Sequence, residues 1–178
     1  MPSIGYTSSA TPFGELLLAA TDRGVVALGF GNTDVESALW LKTEFPGREL
    51  QRDDAGLHTT LAAALDQLDG ARDFPIPLAG EGSEFQKRVW LALQKIPFGE
   101  TRTYTQLAAM IGQPYAVRAV ASACAANPIS VLVPCHRVVG ADGTLRGYRW
   151  GLERKARLLE HERQIVLSKQ RVGMSRSA

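Results

Sequence analysis

Cysteine and histidine are scarce in this sequence, and long hydrophobic runs are missing. Its 178 residues include two cysteines and three histidines. Two cysteines cannot form the disulfide framework of a small secreted protein, so we expect a reducing, cytoplasmic environment. The scattered cysteines and histidines show none of the spacings that bind zinc, so we expect no metal site.

The hydrophobic residues are divided among many short runs. None of these runs approaches the roughly 20 residues of a membrane-spanning helix, and residues 1–20 have no basic start ahead of an apolar block. We therefore expect neither a membrane span nor a secretory signal. The length and the hydrophobic content of 45% fit one ordinary domain, or two small domains that share an interface.

The net charge of +2 conceals an unequal distribution along the chain. Residues 1–82 carry five Lys and Arg against twelve Asp and Glu, whereas residues 83–162 carry eleven against six and residues 163–178 carry four against none. The basic second half suggests an anionic partner, although many solvated surfaces have the same composition.

The first half alternates short β-rich runs with turns and then becomes helical. Three strands are predicted at 4–8, 15–20 and 24–30. Apolar periodicity predicts two helices, at 34–45 and 55–70. The segment 71–82, rich in proline and glycine, predicts an extended linker or edge strand, with a domain boundary near residue 82.

The second half is predicted to be mainly helical. Ser83 and Gln86 form a capping-box pattern ahead of an apolar helical face. Two short helices, 105–112 and 114–126, are joined by a Gly-Gln-Pro turn and resemble a helix-turn-helix. A last helix is predicted at 152–167, with a frayed end after it.

These patterns predict an α/β protein of the α+β type, in three parts. A small domain of sheet and helices spans residues 1–82, and a mainly helical domain with the helix-turn-helix spans residues 83–165. A basic and flexible tail spans residues 166–178.

Cys135 stands in the motif Pro-Cys-His-Arg, directly after the strand-like run 131–133. An isolated cysteine is usually a buried structural thiol. A base or cation nearby can instead lower the thiol pKa and create a nucleophile, and His136 and Arg137 supply such groups. Because adjacent side chains of an extended segment point to opposite faces, direct contact of Cys135 with His136 is not assured, and a water could bridge the two. The residues alone leave both interpretations open.

Other candidate residues are interpreted from their local sequence. Arg118 interrupts a helix of small residues, either as a surface ion pair or as a group presented to phosphates or bases. Cys124, on the same helix, fits a small packing residue. Tyr104 fits an ordinary core, and His161 with Glu162 fits a solvated stretch of helix.

Three blocks of the second half resemble the O6-alkylguanine-DNA alkyltransferases, also called methylated-DNA–protein-cysteine methyltransferases. The blocks are FQKRVWLALQKIPFGETRTYTQLAAMIG, AVRAVASACAANP and PCHRVVGADGTLRGYRWGLERKARLLEHE. The resemblance is greatest to the C-terminal domain of the bacterial adaptive-response protein. PCHRV is short, but it is highly specific in this order with the other blocks. Residues 1–82 are similar to the family's variable N-terminal domain only in order and length.

The resemblance implies a role for each matching residue. Cys135 would accept the alkyl group, His136 would take the thiol proton through a water, and Glu162 would orient that histidine. Tyr104 would protonate the departing guanine. Asn127 would brace the turn between the helix and the cysteine loop.

The resemblance also implies double-stranded DNA as the partner, bound in the minor groove with the alkylated base flipped into a pocket. Arg118 would fill the vacated stack. The helix would approach closely through its small residues: Ala119, Ala121, Ser122 and Ala123. The pocket would be lined by Tyr148, Arg149 and Trp150, with Cys124 at its edge. The bulk of Trp150 predicts poor acceptance of large O6 substituents such as benzyl.

The expected activity is a direct, irreversible and single-turnover transfer of a small alkyl group from O6-alkylguanine, and from O4-alkylthymine, to Cys135. We expect a monomer without a cofactor. The alternatives are a non-catalytic module that recognises alkylated DNA, a Cys-His hydrolase and a plain helix-turn-helix regulator. Because no cysteine precedes Cys124, we expect neither the N-terminal zinc site nor the regulatory module with its own acceptor cysteine that some members have.

Overall fold

The first half of the chain forms a four-stranded sheet in the order β3–β2–β1–β4. The computed structural model describes residues 3–71 and 75–175, with side chains up to Val172. The strands are β1 (Ile4–Thr11), β2 (Gly14–Thr21), β3 (Gly24–Gly31) and β4 (Leu50–Arg52). The first three confirm the predicted strands and are antiparallel. The short β4, which the sequence did not predict, pairs in parallel with β1.

Both faces of this sheet are buried. One face packs against α1 (Asp34–Glu44), where Leu17 of β2 joins the same hydrophobic cluster as Leu41. The other face packs against α2 (His58–Leu68) and the second half, through residues such as Leu16 of β2. Burial on both faces explains why β2 reads as a continuous apolar run rather than as an alternating one.

The second half is helical, as predicted, and the α+β class is confirmed. Its helices are α3 (Glu84–Leu93), α4 (Tyr104–Met110), α5 (Val117–Ala125) and α6 (Leu152–Ser175). Two short strands, β5 (Arg102–Thr103) and β6 (Val138–Val139), pair in parallel. The predicted capping box is present, because Ser83 and Gln86 each accept a hydrogen bond from the other's backbone N–H.

The predicted start of α5 and the predicted end of the last helix are wrong. α5 begins at Val117 and not at residue 114, because Ala116 N donates to Gln113 O and closes a turn there. The linker between α4 and α5 is therefore longer than the predicted Gly-Gln-Pro turn. α6 continues beyond the predicted end at Leu167 to Ser175, so the frayed end predicted at 168 is helical up to that residue.

The Pro- and Gly-rich segment after α2 is extended where it is described. Leu78 forms an isolated parallel bridge with Val25 of β3. Residues 72–74 of the predicted linker lie outside the described residues. Nowhere along the described chain is a helix both long enough and apolar enough to cross a membrane.

The edge strand β3 connects the two halves next to the cysteine motif. Leu28 N donates to Pro128 O at 2.9 Å, and Leu28 O accepts from Ser130 N at 2.7 Å. The side chains of both halves also belong to one hydrophobic core. The loop that precedes Cys135 is consequently attached to the N-terminal sheet.

Candidate active site

Cys135 begins a buried 3-10 turn, Cys135–Arg137, at the end of the loop that follows α5. The strand predicted at 131–133 is wrong, because these residues form a turn in which Val131 has a φ of 68°. A positive φ is unusual for a β-branched residue and marks local backbone strain. The apolar run is explained by burial, since all three of its side chains are buried.

Asn127 braces this loop and contacts the thiol. Its Nδ2 donates to Val133 O at 2.8 Å and to Cys135 Sγ at 3.3 Å, and its Oδ1 accepts from Ile129 N at 2.9 Å. The side chain is buried, so these bonds satisfy backbone groups that have no access to water. One amide therefore sets both the path of the loop and the position of the sulfur.

His136 and Glu162 form a buried pair with Nε2 and Oε1 2.7 Å apart. Burial lowers the pKa of His136, although Glu162 opposes this, so the imidazole is neutral at pH 7. Because a carboxylate can only accept, Nε2 carries the ring proton and Nδ1 keeps a free lone pair. Nδ1 is buried and has no hydrogen-bond partner among the described residues. The imidazole is thus held in the tautomer that can act as a base at Nδ1.

Glu162 accepts from two further groups besides His136. Arg137 donates to it from Nε and Nη2, at 3.0–3.1 Å, and Gly99 N donates to Oε2 at 2.8 Å. Burial raises the pKa of Glu162, but the hydrogen bonds and charges of His136 and Arg137 outweigh this effect and lower it to about 2. Glu162 is therefore a carboxylate at every physiological pH.

Burial raises the pKa of the Cys135 thiol. The hydrogen bond from Asn127 and the charge of Lys155 oppose this rise, in that order. A buried thiol of this kind is protonated at rest and needs a base to become a nucleophile. The nearest base in the sequence, His136, is the residue whose Nδ1 is free.

Tyr104, Tyr148 and Cys124 surround the thiol. Tyr104 is the first residue of α4, and burial raises its pKa to about 12, with the charges of Cys124 and Cys135 adding to the rise. The Tyr148 hydroxyl and Ser130 Oγ are hydrogen-bonded at 2.6 Å. The Tyr148 ring centroid lies 6.5 Å from the ring centroid of His136. Burial raises the pKa of Cys124 to about 12, so this second thiol stays protonated.

Two of the predicted pocket residues reach the N-terminal half. Arg149 donates from Nη1 to Glu44 of α1 at 2.7 Å, so its guanidinium is not free. The Trp150 ring lies edge-on to Trp40, with centroids 4.6 Å apart, and it covers Gly29 of β3. Arg149 thereby connects the loop before α6 to α1, and Trp150 connects it to both α1 and β3.

The exposed face of α5 is made of small residues and one arginine. Arg118, Ala119 and Ser122 are exposed and Ala121 is half-buried. Ala123 faces the core, contrary to its predicted place on this face, and its carbonyl accepts from Trp90 Nε1 at 2.9 Å. The backbone of α5 can therefore approach a large partner closely along this face.

Two models of known families match the chain. The 6-O-methylguanine DNA methyltransferase DNA-binding domain matches residues 84–164, and the ribonuclease-like domain of the same methyltransferase matches residues 4–86. A methylated-DNA–protein-cysteine methyltransferase of Methanosarcina acetivorans is 43% identical over 160 residues, which cover 88% of this chain and 97% of that protein. The chain belongs to this methyltransferase family.

Further relatives agree with this methyltransferase assignment. A crystal structure of Mycobacterium tuberculosis OGT in complex with DNA superposes with a TM-score of 0.76 and 36% identity, covering 90% of this chain and 94% of that one. The bifunctional transcriptional activator and DNA repair enzyme Ada of Escherichia coli is 44% identical over 162 residues. That match covers 90% of this chain but 46% of Ada, so the chain spans about half the length of that relative.

The sequence did not indicate what two charged residues of this site contact. Arg137 was offered only as a cation that could lower the thiol pKa, whereas it pairs with Glu162, which His136 also contacts. Lys155 was part of the predicted last helix and is completely buried. The available signal was the helical spacing of Lys155, Leu158 and Glu162, which places all three on one face. Among the described residues, no three His, Cys, Asp or Glu side chains are grouped so that they could hold a metal ion.

Proposed function

We propose that this methyltransferase repairs DNA by transferring the alkyl group of O6-alkylguanine, and of O4-alkylthymine, to Cys135 in one irreversible step. The observation that carries the proposal is the neutral, buried His136, which donates through Nε2 to Glu162, leaves Nδ1 without a partner among the described residues and directly follows the buried Cys135. Such an arrangement generates a thiolate only inside the pocket, where an alkylated base can meet it.

The reaction uses one proton relay and one displacement. His136 Nδ1 takes the proton of Cys135 through a water molecule. The Sγ electron pair then forms a bond to the alkyl carbon while the bond from that carbon to O6 breaks, and the electron pair of the broken bond stays with guanine. Tyr104 donates its proton to the departing guanine, and its pKa of about 12 keeps that proton in place until then.

The product is a thioether at Cys135, a stable linkage that no reductant reverses. Each molecule therefore reacts once. The stable S–C bond distinguishes this reaction from that of a Cys-His hydrolase, in which water releases the intermediate.

The basic second half binds double-stranded DNA along the exposed face of α5. Small side chains let the helix enter the minor groove, and Arg118 occupies the stack when the alkylated base is flipped out. Phosphate contacts supply affinity without reading the sequence. We propose that the protein does this as a monomer, in the reducing cytoplasm where both of its free cysteines stay reduced.

Transfer is tested with a duplex that carries tritiated O6-methylguanine. We expect label approaching one methyl group per chain, absent in Cys135→Ser and retained in Cys124→Ser. Release of label with repeated turnover would identify a hydrolase. Binding of the duplex without any labelled protein would identify a non-catalytic recognition module.

Large alkyl groups are expected to react poorly because of the bulk of Trp150, whose ring packs edge-on against Trp40. Free O6-benzylguanine should inactivate the wild-type protein slowly and Trp150→Gly faster, measured as residual methyl transfer after incubation. Rapid inactivation of the wild type would contradict this interpretation.

A further inference from the structure

Lys155 of α6 is completely buried and has no carboxylate partner among the described residues. Its exposed fraction is 0%, and its Nζ donates to Arg146 O at 2.7 Å. None of the ion pairs in the described part of the chain includes it. A buried ammonium without an anion nearby is strongly unfavourable, so the position needs an explanation.

α6 packs against the 3-10 turn that begins at Cys135, and Lys155 lies on the buried side of this helix. Burial lowers the pKa of Lys155, and Cys135 and then Cys124 oppose this. Cys124 has a pKa of about 12 and stays protonated. Cys135 is therefore the group that can place a negative charge near this ammonium.

The buried face of α6 carries opposite charges two helical turns apart. Lys155 and Glu162 are both buried, and Leu158 lies between them on the same face. Glu162 contacts His136 and Arg137, while the positive charge of Lys155 lowers the pKa of Cys135. Proton transfer from Cys135 to His136 would create a thiolate near the ammonium and an imidazolium against the carboxylate. Each new charge thus forms near a fixed charge of opposite sign.

We propose that Lys155 is a positioning residue of the transfer reaction, a buried cation that stabilises Cys135 as a thiolate. It acts through Cys135 and does not touch the alkyl group. A preorganised charge in a dry pocket costs no reorganisation during the reaction, which makes it more effective than the same charge in water. The inference rests on the proposed alkyl transfer for its biological meaning, but its effect on the thiol is measurable without DNA.

The test is the pH dependence of Cys135 alkylation by iodoacetamide, in a Cys124→Ser background so that one thiol reacts. Lys155→Gln keeps a donor for the Arg146 carbonyl and removes the charge, whereas Lys155→Arg keeps the charge. The other titratable or charged groups around Cys135 are Tyr104, Cys124, His136, Arg137, Tyr148, Arg149 and Glu162. All variants carry Cys124→Ser, and the remaining groups are the same in each of them. A difference between two alkylation profiles therefore reports the effect of the charge at position 155.

We expect Lys155→Gln to move the alkylation profile about one pH unit upward. This shift corresponds to about tenfold less thiolate at neutral pH. Lys155→Arg should restore most of the reactivity. Lys87→Met, which changes an exposed lysine of α3 paired with Glu84, should match the unchanged protein. Methyl transfer from DNA should slow in Lys155→Gln by the same factor.

An alkylation profile of Lys155→Gln that coincides with that of the parent protein would overturn the proposal. If Lys155 has only a structural role, Lys155→Gln should lower the thermal stability and leave the alkylation profile unchanged. This outcome would also overturn the proposal. If Lys155→Gln does not fold, Lys155→Met is the second neutral variant, since replacing a buried charge by an apolar group is often neutral or stabilising. A shifted profile in a protein that takes no methyl group from DNA would support the role of Lys155 and reject the proposed function.

Discussion

At the scale of single residues, Glu162 connects the chemistry of the site with its stability. Its carboxylate selects the tautomer of His136 and is the anion that pairs with the buried Arg137. Removing one partner of such a group leaves an uncompensated buried charge, which typically costs about 3–5 kcal/mol. On the proposed mechanism, a substitution of Glu162 should therefore change methyl transfer and stability together.

Glu162→Gln should lower the free energy of unfolding by about 3–5 kcal/mol and slow methyl transfer by about 100-fold, the lower range of general-base contributions. Denaturant unfolding and single-turnover transfer measure the two effects. Glu160→Gln is the matched control, because Glu160 lies on the same helix but forms an exposed pair with Arg163. It should leave the free energy of unfolding nearly unchanged. Equal losses in both variants would contradict the role given to Glu162.

The same residue predicts acid sensitivity. Its pKa is about 2 in the folded protein against 4.5 ordinarily, so its contribution is complete above pH 4.5 and is lost as the pH falls towards 2. The wild type should lose stability across this window more steeply than Glu162→Gln. Urea unfolding at a series of pH values measures the free energy of unfolding of both proteins. Parallel plots of this free energy against pH would refute the prediction.

At the scale of structural elements, the turn between α3 and β5 supports α6. Gly99 has a φ of 81°, and its N–H donates to Glu162. A Cβ at this position would lie 2.6 Å from Val166 Cγ2. The turn therefore needs glycine for its conformation and for its contact with the helix.

Gly99→Ala should cost more stability than Gly112→Ala, although both glycines have a positive φ. Gly112 has a φ of 72° with nothing within 4 Å of the added Cβ, so its substitution costs only the backbone penalty, about 1–2 kcal/mol. Overpacking against Val166 should add about 1–3 kcal/mol in Gly99→Ala and slow methyl transfer by displacing Glu162. Thermal and denaturant unfolding measure the stability that each variant loses. Equal losses in Gly99→Ala and Gly112→Ala would contradict the argument from packing against Val166.

At the scale of the whole molecule, the N-terminal sheet supports the cysteine loop. β3 contributes the hydrogen bonds of Leu28 to the loop, and Gly29 lies beneath Trp150 and Trp40. An added Cβ at Gly29 would lie 2.3 Å from Trp150 Cζ2. The first half thus contacts both the cysteine loop and the loop before α6.

Gly29→Ala should therefore lower the free energy of unfolding by about 1–3 kcal/mol and slow methyl transfer, because it pushes Trp150, and with it the loop before α6, away from the sheet. Gly5→Ala is the control within the same sheet, where the nearest atom to the added Cβ is at 3.5 Å. Gly5→Ala should keep its activity, and its free energy of unfolding should change by no more than about 1 kcal/mol. Unchanged transfer in a destabilised Gly29→Ala would show that the sheet supports folding alone.

Local features of the sequence predicted most of the elements and part of the site. The capping box at Ser83 and the three β-rich runs depend on near neighbours in the chain, and so they are readable without the fold. The motif around Cys135 indicated a thiol beside a base for the same reason. The start of α5 was misjudged because Pro114 fits the first turn of a helix and a tight turn equally well.

The sequence alone therefore determined the fold class and the family, together with the residue types available for the chemistry. The tertiary structure decided what those residues do to one another. The turn at Val131 is held by burial against local preference, and Glu162 meets His136 and Arg137 only because α6 packs on the 3-10 turn. Lys155 is buried for the same reason. Charges and protonation states depend on which groups share a water-free interior, and contacts between distant parts of the chain set that environment.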